Sequence, residues 1–482
     1  MSKRTGRWGG PGRRGLPERA RGVDTVFLHM ETPETPLHTL KVLVLDTSAR
    51  GRPVELAELR EAIAGRLGIV ARSTQKAVFV PGFARPFWVD DPDFDLDSHL
   101  SEVTLAPPGG RQELDALASR LAENRLDRSR PLWALTLVHG LEGGRQAVVA
   151  RVHHSIMDGL AARNTFLAVT TPDRGTPVGP SARRGSATGE RTRSAGPGTL
   201  LALAVADLPR WLAGLARLCV DAVAAHRRGR RFRASHPTTA PFVGCRRNFC
   251  NTRCGAARVC ASASLPFASF KQVADATGST INGVLHAVVA MAVRRELLAR
   301  GEPAAEATAV FGVGADAGSF ERRWGNRITP TTVRLHSEQA DPLECLRSTN
   351  DSCRLGVDLR RATGLEMALR WTEYSCRLSP FFQRRLAYLL PRTVNNVTTA
   401  NVAGPRETRW FGDVEVSDWI SFAVTVPPSN FNLTVYSYAG SMSMGLITAP
   451  EVMGDPQRFL GHLAASLEEL ATAALAASSP AA

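Results

Sequence analysis

Between Thr170 and Thr199 the sequence runs through TPDRGTPVGPSARRGSATGERTRSAGPGT, almost wholly Pro, Gly, Ser, Thr and Arg. A segment with no apolar period adds nothing to a core, so the chain on either side must bury its own hydrophobic surface. The segment therefore divides 482 residues into a first domain at 22–169 and a second at 200–482, joined by a flexible linker at 170–199. Each part is long enough for its own core. Ahead of them, MSKRTGRWGGPGRRGLPERARG is basic and has no apolar stretch, which makes residues 1–21 a disordered arm rather than a leader.

Both halves carry mixed patterns. In the first, HTLKVLVLD reads as a strand, and VELAELREAIAGRLG and ELDALASRLAENRLD read as amphipathic helices. ALTLVHGL, EGGR and QAVVARVHH then read as strand, turn and strand, a hairpin. In the second, TINGVLHAVVAMAVRRELLAR and DPQRFLGHLAASLEELATAAL have helical spacing, while EATAVFGVG, NLTVYSYAG and SMSMGLITA read as strands. The fold class expected is α/β (α+β), each domain a mixed sheet with flanking helices.

The hairpin ends in AVVARVHHSIMDGLAA, which sets His153, His154, Asp158 and Gly159 within seven positions. Metal binding, acid–base chemistry and plain structural polarity are the candidates. Adjacent histidines at a strand end point to opposite faces, so they do not share one ion, and no His-Glu-x-x-His arrangement is present. Nor is there a Gly-x-Ser-x-Gly elbow to make Ser155 a nucleophile. Gly312, Gly314 and Gly318 in FGVGADAG imitate a dinucleotide fingerprint, but the last glycine is one residue late and SFERRWGNRITP is not helix-like. That stretch reads as loop. General-base catalysis fits best: a neutral imidazole takes a proton from a hydroxyl attacking a carbonyl. Only one of His153 and His154 can face a cavity. Asp158 orients backbone or pairs with an arginine, and Gly159 lets the chain turn closely into the next helix.

The formal charge of +14 is carried by arginine, with lysine only at Lys3, Lys41, Lys76 and Lys271. Such a balance attracts phosphates, whether of a nucleotide-bearing substrate or of anionic lipid headgroups. No zinc finger or RNA-binding signature supports nucleic acid as a partner. Four of the eight cysteines, Cys245, Cys250, Cys254 and Cys260, have gaps unlike those of zinc sites and read as free cytosolic thiols. No apolar run reaches the roughly eighteen residues of a membrane span. A cytoplasmic protein, soluble or peripheral to a membrane, is expected. LLALAVADLPRWLAGLARLCVDAVAAHRRGRRFRA bears on that question. Asp207, Arg210, Arg217 and Asp221 share one face, Trp211 and the cluster Arg227, Arg228, Arg230, Arg231 and Arg233 accompany them, and Pro209 is a potential kink. A helix packed on the second domain and an interfacial helix both remain open.

HHSIMDG resembles the His-His-x-x-x-Asp-Gly signature of CoA-dependent acyltransferases and peptide-synthetase condensation domains. DTVFLHMETPETPLH, RPFWVDDPDFDLDSHL, LDRSRPLWALTLVHGL, TANVAGP and LTVYSYAGSMSMGL all look like the bacterial wax ester synthase/acyl-CoA:diacylglycerol acyltransferase family, in the expected order, from about Gly22 to Leu470. The resemblance implies two chloramphenicol-acetyltransferase-like domains meeting at an active-site tunnel. It implies transfer of a long-chain acyl group from acyl-CoA, a co-substrate rather than a cofactor, to diacylglycerol or a fatty alcohol. His154 is then the general base, His153 its neighbour, and Asp158 a structural residue. Asn282 stands in the place of the family's Asn-Asp pair, as a candidate oxyanion donor or, with Thr280 as the equal alternative, a helix cap. The expected location is the inner face of the plasma membrane or lipid droplets.

Three strings depart from the family. Gly283 replaces its aspartate, VFGVGADAG its Pro-Val-Ser-x-Arg string, and ANVAGP, with Ala400 and Ala403, its Ser-Asn-Val-Pro-Gly-Pro. Two rival functions follow: an acyltransferase for a specialised alcohol or amine, and a non-catalytic acyl-CoA- or lipid-binding protein. Pro131, Leu132 and Trp133 match the family's PLW, and a buried aromatic anchor at a strand start is the better explanation of them. Chain length and oligomeric state are left open by the sequence.

Overall fold

The hairpin is present: Trp133–His139 and Gln146–His153 pair antiparallel, with Ala134 opposite Arg151 and Val138 opposite Ala147. His38–Asp46 lies on the other side of Gln146–His153, also antiparallel, and Leu100–Thr104 runs parallel to Trp133–His139 at the far edge. A computed structural model gives this architecture; it describes residues 16–70, 72–176, 196–316, 318–376, 385, 388–389 and 392–478. The helices Leu56–Ala64, Arg111–Glu123 and Gly159–Val169 cover the sheet, each with its apolar residues inward.

A second six-stranded sheet has the order Ile328–Arg334, Thr308–Gly314, Val397–Ala403, Phe431–Tyr438, Ser441–Thr448, Val259–Pro266. Phe267–Thr277, Ile281–Ala299, Pro342–Thr363 and Pro456–Ser478 form its helical layer. Ile281–Ala299 is buried along most of its length, as its nearly uninterrupted apolar run requires. Two mixed sheets with flanking helices agree with the expected class.

The linker does not divide the sheets as the sequence implies. Val414–Phe422 belongs to 200–482 in sequence, yet it pairs antiparallel with His38–Asp46 and carries Arg409–Phe411 on its outer edge. The first sheet thus has six strands, two of them from the second half. Alternation in VEVSDWISF identifies a strand but not the sheet it joins. Where this strand crosses, a Cβ on Gly445 would stand 2.2 Å from the Ser421 carbonyl oxygen, so the absent side chain lets the second sheet close on the first.

The boundaries of the arm and linker also shift. Residues 1–15 lie outside the described residues, but Glu18–Arg19 already pairs with Trp88 and Phe87, so the fold begins before residue 22. Of the linker, 177–195 lie outside the described residues, and the helix Pro197–Ala206 begins within its last positions.

That helix continues, after Asp207, as Leu208–Ser235, with Pro209 in the first turn of the new helix rather than kinking a continuous one. Its acidic residues turn toward the protein: Arg19 Nη1 donates to Asp207 (3.2 Å), Arg370 Nη2 donates to Asp221 (2.7 Å), and Trp211 packs on Tyr374. Leu201, Val205, Leu208, Leu212, Val220 and Val223 face outward, between 45% and 70% exposed. By length and composition Pro197–Ser235 is also long and apolar enough to cross a membrane. The criterion of an uninterrupted apolar run missed it because the charges are interspersed.

Candidate active site

The strand Gln146–His153 sets the register of the site. His38 stands opposite His153, and the His154 amide extends the ladder by donating to the Leu37 carbonyl at 2.8 Å. Strand alternation then sends the two imidazoles to opposite faces. His153 goes into the protein. Its Nδ1 accepts from the Ser155 amide (3.1 Å), which leaves the proton on Nε2, 3.5 Å from Glu31 Oε1. Burial pushes the His153 imidazole down, against the pull of Glu31. For Glu31, burial is outweighed by His153 and Arg128, which hold its carboxyl at about 2. His153 is thus a fully enclosed member of a structural pair.

His154 is half-buried and stacks on Phe27, with ring centres 4.1 Å apart and planes 15° from parallel. Its Nδ1 lies 3.0 Å from Asn326 Oδ1. The Asn326 amide group donates to Asp24 Oδ1 (2.8 Å) and to the His154 carbonyl (2.7 Å), so its oxygen is what remains for the imidazole. Nδ1 therefore carries the proton, and Nε2 keeps its lone pair. Asp24 fixes Asn326 twice, since the Asn326 backbone amide also donates to Oδ1 at 3.0 Å. Burial raises the Asp24 carboxyl to about 7. Burial also pushes the His154 imidazole down to about 4, against its own carbonyl and helped by the nearby Lys41 charge. Near pH 7 His154 is neutral.

Asp158 does two structural jobs. As the cap of Gly159–Val169 it accepts from the Ala161 amide at 2.9 Å. It also accepts from Arg322 Nη2 on both oxygens (3.0 and 2.9 Å) and from the Arg327 amide (2.8 Å). These bonds fasten the loop that carries Asn326 to the first half. Gly159 has a different use from the tight turn expected of it. Its φ is not left-handed, and a Cβ there would stand 3.0 Å from Val402 and 3.1 Å from the Tyr436 hydroxyl. Tyr436 donates from that hydroxyl to the Gly159 carbonyl.

Asn282 is not brought to His154 by any hydrogen bond among the described residues. Its side-chain oxygen accepts from Asn401 at 3.4 Å and its carbonyl is 2.7 Å from His286 Nδ1, while Thr280 caps the helix. The space that a side chain on Gly283 would take is filled by Asn350, whose Oδ1 accepts from the Thr280 amide and hydroxyl. FGVGADAG ends a strand and leads into a loop, not a helix. That loop supplies Arg322, Asn326 and Arg327, which sequence reasoning did not single out. Asp24 and Phe27 were missed as well, although DTVFLHM had been noted as a string. Cys245, Cys250 and Cys260 are buried, and burial raises their thiols, consistent with packing groups.

On the His154 face of the first sheet lies an apolar cavity of about 210 Å³. Val152 and Ile156, on either side of His154 in sequence, line it together with Leu43, Phe166 and Trp419. Lys41 is the lysine in its wall.

Residues 21–285 match the wax ester synthase/diacylglycerol acyltransferase catalytic domain, and residues 324–471 match the WS/DGAT C-terminal domain. A Mycobacterium tuberculosis protein, provisionally named a diacylglycerol O-acyltransferase, is 30% identical over 96% of this chain and 98% of its own length. Among solved structures, the wax ester synthase/diacylglycerol acyltransferase from Marinobacter aquaeolei VT8 superposes with a TM-score of 0.66 at 21% identity, covering 95% of this chain and 99% of that one. The first condensation domain of the CDA synthetase superposes with a TM-score of 0.57 at 16% identity, covering 98% of each chain. With both domains matched in order across this two-sheet fold, the chain belongs to the wax ester synthase/diacylglycerol acyltransferase family of acyltransferases.

Proposed function

We propose that this chain transfers a long-chain acyl group from acyl-CoA to a lipid hydroxyl, that of diacylglycerol or a fatty alcohol, with His154 as general base. One observation carries the reading: a neutral imidazole, its Nδ1 proton committed to Asn326, stands on the face that holds an apolar cavity, with no hydrogen bond to Nε2 among the described residues. Nε2 takes the hydroxyl proton as the oxygen attacks the thioester carbonyl. The tetrahedral intermediate then collapses, and the departing thiolate takes that proton from the imidazolium. A thioester is already activated, so no acyl-enzyme and no cofactor enters the scheme. Asp24 and Asn326 hold the tautomer, and Asp158 with Arg322 holds the loop that carries Asn326.

The test is CoA release from palmitoyl-CoA with diacylglycerol, with hexadecanol and without acceptor. Acceptor-dependent release should fall about 10²–10⁴-fold in His154→Ala. Release that survives the substitution, or acyl-CoA binding with no release for any acceptor, would overturn the assignment; the second result would favour a binding protein.

The outward stripe of Pro197–Ser235 supports peripheral attachment to a membrane or lipid-droplet surface, for which we propose the cytoplasmic side. Only 11% of its apolar window is buried, and the ion pairs of Asp207 and Asp221 lay the helix along the protein. Arg227, Arg230 and Arg231, exposed at its end, suit anionic headgroups. Sedimentation with phosphatidylglycerol vesicles should bring the protein down, and Val220→Asp with Val223→Asp should leave it in the supernatant. Equal sedimentation of both would remove the helix from the account.

A further inference from the structure

Lys41 occupies a position that packing alone would fill with an apolar side chain. It follows the alternation of Leu43 and Leu45 on the cavity face of His38–Asp46, and the accessible part of its side chain opens on that cavity. Among the described residues its Nζ has one hydrogen bond, to Ser421 Oγ at 2.6 Å, and lies 5.4 Å from the centre of the Tyr436 ring. An ammonium has three N–H donors. Among the described residues the other two make no hydrogen bond; the Asp158 carboxylate acts on the ammonium through space, and the wall is mainly aliphatic and aromatic, with Ser73, Thr165, Arg66 and Arg72 as its other polar members.

The two arginines at the cavity are engaged with protein groups, although Arg66 Nε also meets no acceptor among the described residues. Arg66 donates to the Ala62 carbonyl and lies over Phe411; Arg72 pairs with Glu18 and lies between Trp88 and Trp324. Lys41 is the ammonium among these three cations, a localised charge on a flexible stem. Burial has pushed its ammonium down to about 7, so an oxygen arriving beside it relieves a desolvation already incurred.

Its place relative to His154 follows from the register. Lys41 stands opposite Ala150, and Ala150, Val152 and His154 share one sheet face. At about 3.3 Å per residue, Ala150 and His154 are roughly 13 Å apart along the strand. That is the backbone spacing; the Lys41 side chain spans part of it, and its charge acts on the His154 imidazole, so an aliphatic chain with its reacting carbon at His154 passes Lys41 within a few methylenes.

We propose that this cavity takes a long aliphatic chain bearing a second oxygen, a hydroxyl or carboxylate, and that Lys41 Nζ holds that oxygen. The assignment of the chain's other end rests on the acyl-transfer reading above. The chain can come from the acyl donor or from the alcohol acceptor, and both are tested.

Binding is measured in His154→Ala, where nothing turns over. One arm compares palmitoyl-CoA with 3-, 10- and 16-hydroxypalmitoyl-CoA; the other compares hexadecanol with the corresponding hexadecanediols. At least one hydroxylated chain should bind about tenfold or more tighter than its parent, as a hydrogen bond to a charged group gives. The advantage should vanish when Lys41→Met is added, with Lys41→Gln as the substitute should the methionine variant fail to fold. Parent-chain binding by the variant is the folding control. No preference in either arm, or a preference that survives loss of the lysine, overturns the proposal. Turnover of palmitoyl-CoA by the unaltered enzyme without any such preference defeats this inference alone. Preference without turnover of any chain defeats the acyl-transfer reading and leaves the subsite standing.

Discussion

Asp158→Asn separates a structural tie from a proton carrier. The native carboxylate side chain is 0% exposed and Arg322 only 12%. The amide keeps an oxygen for the Ala161 cap but sets N–H groups against Arg322 or the Arg327 amide. Removing one partner of a buried ion pair costs about 3–5 kcal/mol. Arg322 keeps Asp316, whose two oxygens lie 2.6 and 3.2 Å from its guanidinium, so the lower end, about 3 kcal/mol, is expected. With an unfolding entropy of about 2.1 cal/mol/K per residue over a chain whose halves share a sheet, each kcal/mol is about 1 °C, and the melting temperature should drop by roughly 3 °C. Turnover should fall on the order of 10²-fold, because Asn326 rides in the same loop and a small displacement of a positioning group costs that much. Arg322→Met should reproduce both effects, and the double variant should be little worse than either. Thermal melts and the CoA-release assay read the outcome. An unchanged melting temperature with a loss of turnover beyond about 10³-fold would refute the tie and make Asp158 a participant in proton transfer.

Asn326→Ala should lower kcat about 10–100-fold with KM little changed, since it removes one hydrogen bond from the reacting imidazole. Asn326→Asp should move the acid limb of the pH profile upward from near 4, because a carboxylate beside Nδ1 favours the imidazolium; an unmoved limb would count against the His154–Asn326 contact. His38 and His286, both buried, are held neutral in the fold, with values near 4 against 6.5 when unfolded. The unfolded chain thus binds more protons between those values. Stability is fully present above pH 6.5 and lost as pH falls through 6.5 toward 4, by about 3 kcal/mol for each histidine. Urea midpoints at pH 7.5 and pH 5 measure the loss.

Much of the fold was legible because local pattern and final structure agree. QAVVARVHH alternates and becomes a strand, TINGVLHAVV has helical spacing and becomes a buried helix, and the histidine motif falls where the one ends and the next helix begins. What sequence reasoning missed lies far along the chain. Asn326 meets His154 across 172 positions, from a loop with no period to mark it. Arg322 reaches Asp158 across 164. Lys41 read as an ordinary strand residue because period alone does not show what the strand faces. Asn282 was named by analogy with a motif; Thr280 supplies the helix cap, and Asn401 donates to the Asn282 side-chain oxygen.

The crossing strand has a consequence for synthesis. Lys41 and its sheet neighbour Ser421 are 380 residues apart, so at roughly 5–20 residues per second the ribosome needs about 20–75 s to supply the partner. Throughout that interval His38–Asp46 has a bare edge, with Leu40, Val42 and Val44 awaiting cover from Ile420 and Phe422. An open apolar edge is a template for pairing with another chain. Nascent first halves on one polysome therefore need shielding until residue 422 emerges, and the first half expressed alone is expected to aggregate rather than fold.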